Sequence, residues 1–490
     1  MNKPLRRIAV FCGLLILTLL IRDNWLQYVK ANSLKDDPKN RRVLIARYAT
    51  PRGDIIVGGN PITGYTETKG DFKYKRTYKD GAMWAPVTGF VSQAYGANQL
   101  ESINDGILSG TDDRLFFRNT LDMITGKEKE GGNVVTTLNA AAQKAAYNGL
   151  KKQGGKGAVA AIEPTTGKIL ALASFPSYDP STIAGGSTSD EEAWAKLQKK
   201  TNPDDPMLNR ALREVYPPGS TFKVVTAAAA LENGLYTEAD QKTKTPLPWT
   251  MPGTTTVLKN EGNIPCENAT LRVALQYSCN TVFGKVGSDL GNEKMLEEAK
   301  KFGFTEEQFT PIRTSASVFS EDMNPSETAL SSIGQFNTAA TPLQMAMVAS
   351  AVANDGTLMK PYMVDEVQTH NLDPLEKTDP EELSKPLSAE NAQILQSMME
   401  TVVEDGTGKN AQIDGVKVGG KTGTAQHGVD NSENPYAWFI SYAKADDGSS
   451  PVAVAVVIED EKAVRDDISG GGLAAPIAKS VMEAVINSKK

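Results

Sequence analysis

The amino-acid sequence predicts an α+β protein set behind an N-terminal membrane anchor. Three observations carry that expectation. An apolar run opens the chain, short β-like runs broken by Gly, Pro and Asn follow it, and beyond residue 133 strand-like segments lie at both ends of a mainly helical region. Strands drawn from both ends suggest one sheet whose edges come from distant parts of the chain. The 490 residues amount to about three typical domain lengths, so two or three domains with sizeable cores are expected.

Ile8 to Ile21 is apolar apart from Gly13 and Thr18 and follows Lys3, Arg6 and Arg7. A helix of that length rises roughly 21 Å, short of a ~30 Å hydrocarbon core, and would also suit a cleaved signal peptide. Trp25, Leu26, Tyr28 and Val29 extend the run, and Arg22 can snorkel to the headgroups, which favours an uncleaved anchor over 8–29. The basic residues place 1–7 in the cytoplasm and nearly all of the chain outside. Leu34 to Arg42 reads as a charged stalk. Val43 to Tyr48, Asp54 to Val57 and Phe72 to Thr77 read as short strands, with Asn98 to Leu108 helical. Residues 34–150 show no catalytic spacing and are expected to form a mainly β pedestal. Within them, Asn133 to Leu138 is strand-like and Asn139 to Leu150 helical.

Lys151 to Lys156 reads as a flexible break, and a second domain is assigned to 156–490. Gly157 to Glu163 and Lys168 to Ser174 form a hairpin around Pro164-Thr165-Thr166-Gly167. Trp438 to Ala443 and Val452 to Glu459 are further strands, and Pro476 to Ser488 is a closing helix. Asp373 to Ser388 is acidic and Pro-containing, most simply a solvated excursion. Cys12 falls in the membrane run. Cys266 and Cys279 are then a possible disulfide, with two free buried thiols as the alternative until a Cα separation is known.

Composition limits the chemistry. A net charge of −7 argues against a nucleic-acid partner, which needs a basic surface. Of only two histidines, His370 and His427, neither has the i, i+4 partner favoured in zinc sites, so no metal is expected. A Ser-His-Asp hydrolase would have to use one of them, so the general base is expected to be another residue. Pro217-Pro218-Gly219-Ser220-Thr221-Phe222-Lys223 runs into an Ala-rich helical stretch, so Ser220 is expected to open a helix with Lys223 one turn on. Lysine acts as a base only when neutral, which requires burial or a nearby cation. Alone, this motif would equally be a solvated helix cap. Ser278-Cys279-Asn280 adds a hydroxyl and a carboxamide, and Gly419-Gly420-Lys421-Thr422-Gly423-Thr424 adds the second cation on a strand that a substrate backbone can approach. The glycine pattern does not have phosphate-loop spacing. Arg210 either braces the wall of this site or is a surface charge, and His427 is expected at most at its mouth.

The ordered motifs S-x-x-K, S-x-N and K-T-G, whose first residues are 58 and 143 positions apart, resemble those of penicillin-binding proteins. The chain is similar to the class B members, and in particular to the short actinobacterial A type without added C-terminal domains. Arg52-Gly53-Asp54-Ile55, Phe175-Pro176-Ser177-Tyr178-Asp179-Pro180 and Thr341-Pro342-Leu343-Gln344 match further family elements. Gly334-Gln335-Phe336-Asn337 departs from the family's common form.

The resemblance implies a serine β-lactamase-like domain, with an antiparallel sheet flanked by helices, that cross-links peptidoglycan stem peptides ending in D-Ala-D-Ala without a cofactor. It implies Ser220 as nucleophile, Lys223 as base, Ser278 as proton relay and Asn280 as orienter. Lys421, Thr422, Gly423 and Thr424 would bind substrate, and the N–H groups of Ser220 and Thr424 would form an oxyanion hole. It further implies acylation by β-lactams and a membrane glycan polymerase of the shape, elongation, division and sporulation (SEDS) family as partner. A D,D-carboxypeptidase or a penicillin-sensing scaffold would share these motifs. A class A β-lactamase would need an E-x-x-L-N string, which the sequence lacks.

Overall fold

The computed structural model describes residues 3–35, 41–115, 130–198, 204–428, 431–445, 448–459 and 464–489. Helix α1 (Lys3–Tyr28) contains an 18-residue window of mean hydropathy 2.0, none of it buried. Its 26 residues rise roughly 39 Å, because both flanks of the apolar run continue the helix, and the shortfall against a bilayer disappears.

Val43 to Tyr48 is not a strand. It belongs to a helix, Arg41–Tyr48, in which Arg, Leu and Ala outweigh two β-branched residues. Tyr48 ties this helix down by donating from Oη to Ser92 O at 2.7 Å. The pedestal that follows is mixed rather than mainly β. Its strands are only two to five residues long. Much of its core comes from the short helices Gly81–Thr88, Gln99–Ile103 and Asp105–Leu108, which bury Trp84, Val87, Leu100, Ile107 and Leu108.

Strand β1 (Ile55–Val57) runs parallel to β2 (Asn133–Thr136). Just before β1, a Cβ on Gly53 would lie 1.9 Å from Gly132 O, so only glycine fits there. Arg52 beside it pairs with Glu101 and Asp105 at 2.7 Å each, and Arg76 pairs with the other oxygen of Glu101 at 2.7 Å. This buried cluster is the structural content of the Arg52-Gly53-Asp54-Ile55 element.

Helix α2 (Ala140–Gln153) packs Ala142, Ala146 and Leu150 against the second domain's sheet and last helix, so residues 140–150 lie with that core and not with the pedestal. The supposed flexible break is the end of α2. Gly154 closes it at φ 73°, and β3 (Lys156–Ile162) begins two residues later. β4 (Ile169–Phe175) completes the hairpin. Helix α3 (Lys223–Glu232) runs through the centre of the domain with nearly every side chain buried. Two more helices, α4 (Asn280–Leu290) and α5 (Pro342–Ala353), lie on the same side.

β5 (Val364–Gln368) leaves this domain to pair with β2 in the pedestal sheet. β6 (Pro374–Lys377) then pairs with β5. The stretch Asp373 to Ser388 is therefore partly strand. Its Glu and Lys side chains face solvent while the backbone pairs, as charged edge strands do. After α6 (Ala389–Asp405) come β7 (Lys417–Ala425), β8 (Tyr436–Lys444) and β9 (Val452–Glu459), and then α7 (Ala475–Ser488). The second sheet is antiparallel in the order β7-β8-β9-β3-β4. On β9, Val454, Val456 and Ile458 face α2 and α7, while Ala453, Ala455 and Val457 face the larger core with α3 and α5. That alternation sandwiches the sheet between helices on both faces, and the strand order puts β7 and β4 at its two edges.

Candidate active site

Ser220 sits in a single 3₁₀ turn, Gly219–Phe222, that feeds into α3 at Lys223. The expected helix start is thus one turn later than the serine. The turn is held from behind by glycines. Gly219 adopts φ 52° and donates to Gly334 O at 2.9 Å. Gly334 adopts φ 75°, and a Cβ there would lie 2.0 Å from Gly219 O. Trp438 on β8 donates from Nε1 to Pro217 O at 3.0 Å, and Gly423 lets β7 close on Pro218 and Thr221.

Lys223 is fully buried at 0% exposure. Its Nζ lies 2.7 Å from Ser278 O, 2.6 Å from Asn280 Oδ1 and 3.1 Å from Ser278 Oγ. Burial, followed by the positive charge of Lys421, pushes Lys223 well below the ordinary lysine range, and Glu261 opposes the shift. Lys421 is also at 0% exposure, donates to Thr422 O at 2.8 Å, and is pushed down to about 7 by burial, again against Glu261. The two carbonyl oxygens near Lys223 can only accept, so they occupy two N–H donors. A neutral amine then keeps its lone pair for a hydroxyl.

Ser278 holds its position through an unusual backbone, φ 61°, in the left-handed region that costs a serine roughly 1–2 kcal/mol. Cys279 and Cys266 form a disulfide with Cα atoms 5.7 Å apart, which leaves Cys12 as the free cysteine. Asn280 opens α4 and donates from Nδ2 to Lys259 O at 3.0 Å. The structure therefore gathers Ser278, Asn280 and Lys421 around Lys223, one turn from Ser220.

Thr422 is nearly buried, and its hydroxyl meets Thr407 Oγ1 at 2.6 Å, while Thr424 near the end of β7 is half-buried. Thr407 and Glu261 escaped the sequence reading because neither lies in or beside a motif. Gly334 carried a signal in the unusual Gly334-Gln335-Phe336-Asn337 string. Arg210 is buried and not a surface charge, with Nε 3.6 Å from Glu459 and Nη1 donating to Asp205 O at 3.2 Å. Neither histidine belongs to the cluster. His427 stacks on Tyr436 with ring centroids 4.0 Å apart, and His370 pairs with Glu130 at 2.6 Å.

Comparison with known proteins agrees with this geometry. The family described as penicillin binding protein transpeptidase domain matches residues 157–483, and that described as penicillin binding protein A dimerisation domain matches 52–134. The peptidoglycan D,D-transpeptidase PbpA of Mycolicibacterium smegmatis is 40% identical over 99% of each chain. Its namesake in Mycobacterium tuberculosis is 40% identical over 100% of each. The solved structure of M. tuberculosis penicillin-binding protein A as a ceftriaxone acyl-enzyme complex superposes with a TM-score of 0.84 at 38% identity, covering 90% of this chain and 100% of that one. Family match, full-length relatives and fold all agree: the chain belongs to the class B penicillin-binding protein transpeptidases.

Proposed function

We propose that this protein is a membrane-anchored peptidoglycan D,D-transpeptidase that works through a Ser220 acyl-enzyme. The observation that carries the reading is Lys223, a fully buried lysine whose N–H donors face Ser278 O and Asn280 Oδ1. Ser220 Oγ attacks the penultimate D-Ala carbonyl carbon of a stem peptide, and its proton passes to Lys223. The oxyanion rests on the N–H groups of Ser220 and Thr424, a kind of contact worth ~10²–10³ in kcat per donor. Ser278 relays a proton to the departing D-Ala nitrogen, and Asn280 fixes Lys223 and the substrate amide. Lys421, Thr422 and Thr424 hold the terminal carboxylate, and Gly423, expected to admit the substrate backbone, instead lets β7 close on the turn that carries Ser220. A neighbouring stem's amine then takes the acyl group. A β-lactam follows the same first step, but its leaving nitrogen stays tethered, so the adduct persists.

In this reading α1 anchors the chain with residues 1–7 in the cytoplasm and the active site outside. The pedestal carries the transpeptidase unit, assigned to 156–490 together with α2. Anchor and pedestal bind a membrane glycan polymerase of the SEDS family.

The test is labelling with a fluorescent penicillin of the chain lacking residues 1 to about 33. Wild type is expected to form a stable covalent adduct and Ser220→Ala none. Equal labelling of both would refute the nucleophile, and rapid loss of label with drug turnover would indicate a β-lactamase.

A further inference from the structure

One acidic side chain near the two lysines has no part in the mechanism above. The segment 257–266 is fastened to the start of α4 at four points. Leu258 packs on Gly284, where a Cβ would come within 2.6 Å of it. Lys259 O accepts from Asn280 Nδ2 at 3.0 Å. Asn260 Oδ1 accepts from Thr281 N, and Asn260 Nδ2 donates to Thr281 Oγ1, both at 3.0 Å. Cys266 is bonded to Cys279 between Ser278 and Asn280. Glu261 is the first residue beyond these Asn260 contacts. It is exposed, and among the described residues its carboxylate makes no hydrogen bond or ion pair. Its charge nevertheless acts on both Lys223 and Lys421. A carboxylate carried one residue from these anchor points, close enough for its charge to act on both lysines, and making no hydrogen bond or ion pair among the described residues, is available to a ligand.

The chemistry of the reaction indicates which ligand. The donor stem ends in a carboxylate, which a second carboxylate repels and for which Lys421 is the complement. The acyl acceptor arrives as an ammonium, and its competitor, water, carries no charge. A negative charge close to Lys223 and Lys421 raises the local concentration of the first and not of the second. Building on the transpeptidase reading, we propose that Glu261 is the acceptor-recognition residue, drawing the ammonium of the incoming stem into the space that D-Ala leaves beside Ser278 and Lys223. The ammonium there loses one proton to solvent. Its nitrogen bonds to the acyl carbon, the ester bond to Ser220 Oγ breaks, and Oγ takes the second proton through Lys223. Amide, free serine and one released proton balance the step.

The test uses the full chain in detergent, with a thioester mimic of the D-Ala-D-Ala donor and D-alaninamide, whose ammonium is its only charge, as acceptor. Glu261→Gln is expected to raise the D-alaninamide concentration for half-maximal amide formation about five- to tenfold. Measured well below pH 7, where Lys421 keeps its charge, donor hydrolysis without acceptor and the rate of labelling by fluorescent penicillin are expected to stay within about twofold, because neither uses an acceptor ammonium. Glu261→Asp is expected to recover most of the acceptor affinity. An unchanged acceptor requirement in Glu261→Gln overturns the proposal, as does an equal fall in hydrolysis and aminolysis, which would make Glu261 a general base. A parallel loss of penicillin labelling also overturns it, because the role would then be structural. If the wild type hydrolyses the donor but never forms the amide, the transpeptidase reading fails and the proposal fails with it.

Discussion

At the scale of single residues, the site depends on two lysines in opposite protonation states. As the proposed base, Lys223 would work only without its proton, and its depressed pKa makes that form available well below the ordinary 10.5. As the proposed carboxylate-binding group, Lys421 would work as a cation, and it loses that charge as pH rises through about 7. The second-order rate of acylation by a carboxylate-bearing penicillin should therefore climb on the acid side with Lys223 and fall on the alkaline side with Lys421. Arginine stays protonated throughout, so Lys421→Arg should flatten the alkaline limb, and a pH–rate profile of the two proteins reads this directly. An unchanged alkaline fall in the variant would remove Lys421 from that role. Histidine has no share in either limb. Replacing both His370 and His427 is expected to leave the acylation rate within about twofold, because general-base loss would cost 10²–10⁴-fold.

At the scale of elements, the turn that carries Ser220 depends on contacts between backbones that have no room for side chains. Gly334→Ala would place a methyl on Gly219 O and at a positive φ, so the 3₁₀ turn holding Ser220 must shift. Acylation should fall at least tenfold, in the range typical of ~1 Å misplacements, while circular dichroism stays native. An unchanged labelling rate would show that the turn is held by other contacts. The legible elements were those that announce themselves locally. The β3–β4 hairpin has its Pro-Gly turn, β9 alternates Val454, Val456 and Ile458, and the three motifs carry their own spacing. What could not be read depended on partners distant in sequence. Arg41–Tyr48 has a pattern too short to separate helix from strand. Pro374–Lys377 is a strand only because β5 lies beside it. Thr407, Gly334 and Glu261 join the site through contacts that no local pattern encodes.

At the scale of the whole molecule, pedestal and transpeptidase share a sheet and are not simply linked in series. Its order β6-β5-β2-β1, with Asn60–Pro61 at the far edge, interleaves residues 55–61, 133–136 and 364–377. Removing the pedestal would expose the edges of strands whose chain continues straight into the catalytic core. Glu101 stands under this junction at 0% exposure between Arg52 and Arg76. Burial alone would raise its pKa, but Arg76 and Arg52 outweigh it and hold the carboxyl below its usual 4.5. Its stabilisation is therefore complete above that value and is lost as pH falls through the folded one. Glu101→Ala would leave Arg52 its Asp105 pair but take from the buried Arg76 its nearest anion, and breaking such a buried pair costs roughly 3–5 kcal/mol. Because the sheet is shared, the loss should appear as a lower temperature for a single calorimetric transition, with penicillin labelling of Ser220 disappearing at that same temperature. Two separate transitions, or labelling that outlasts pedestal melting, would show instead that the transpeptidase stands without it.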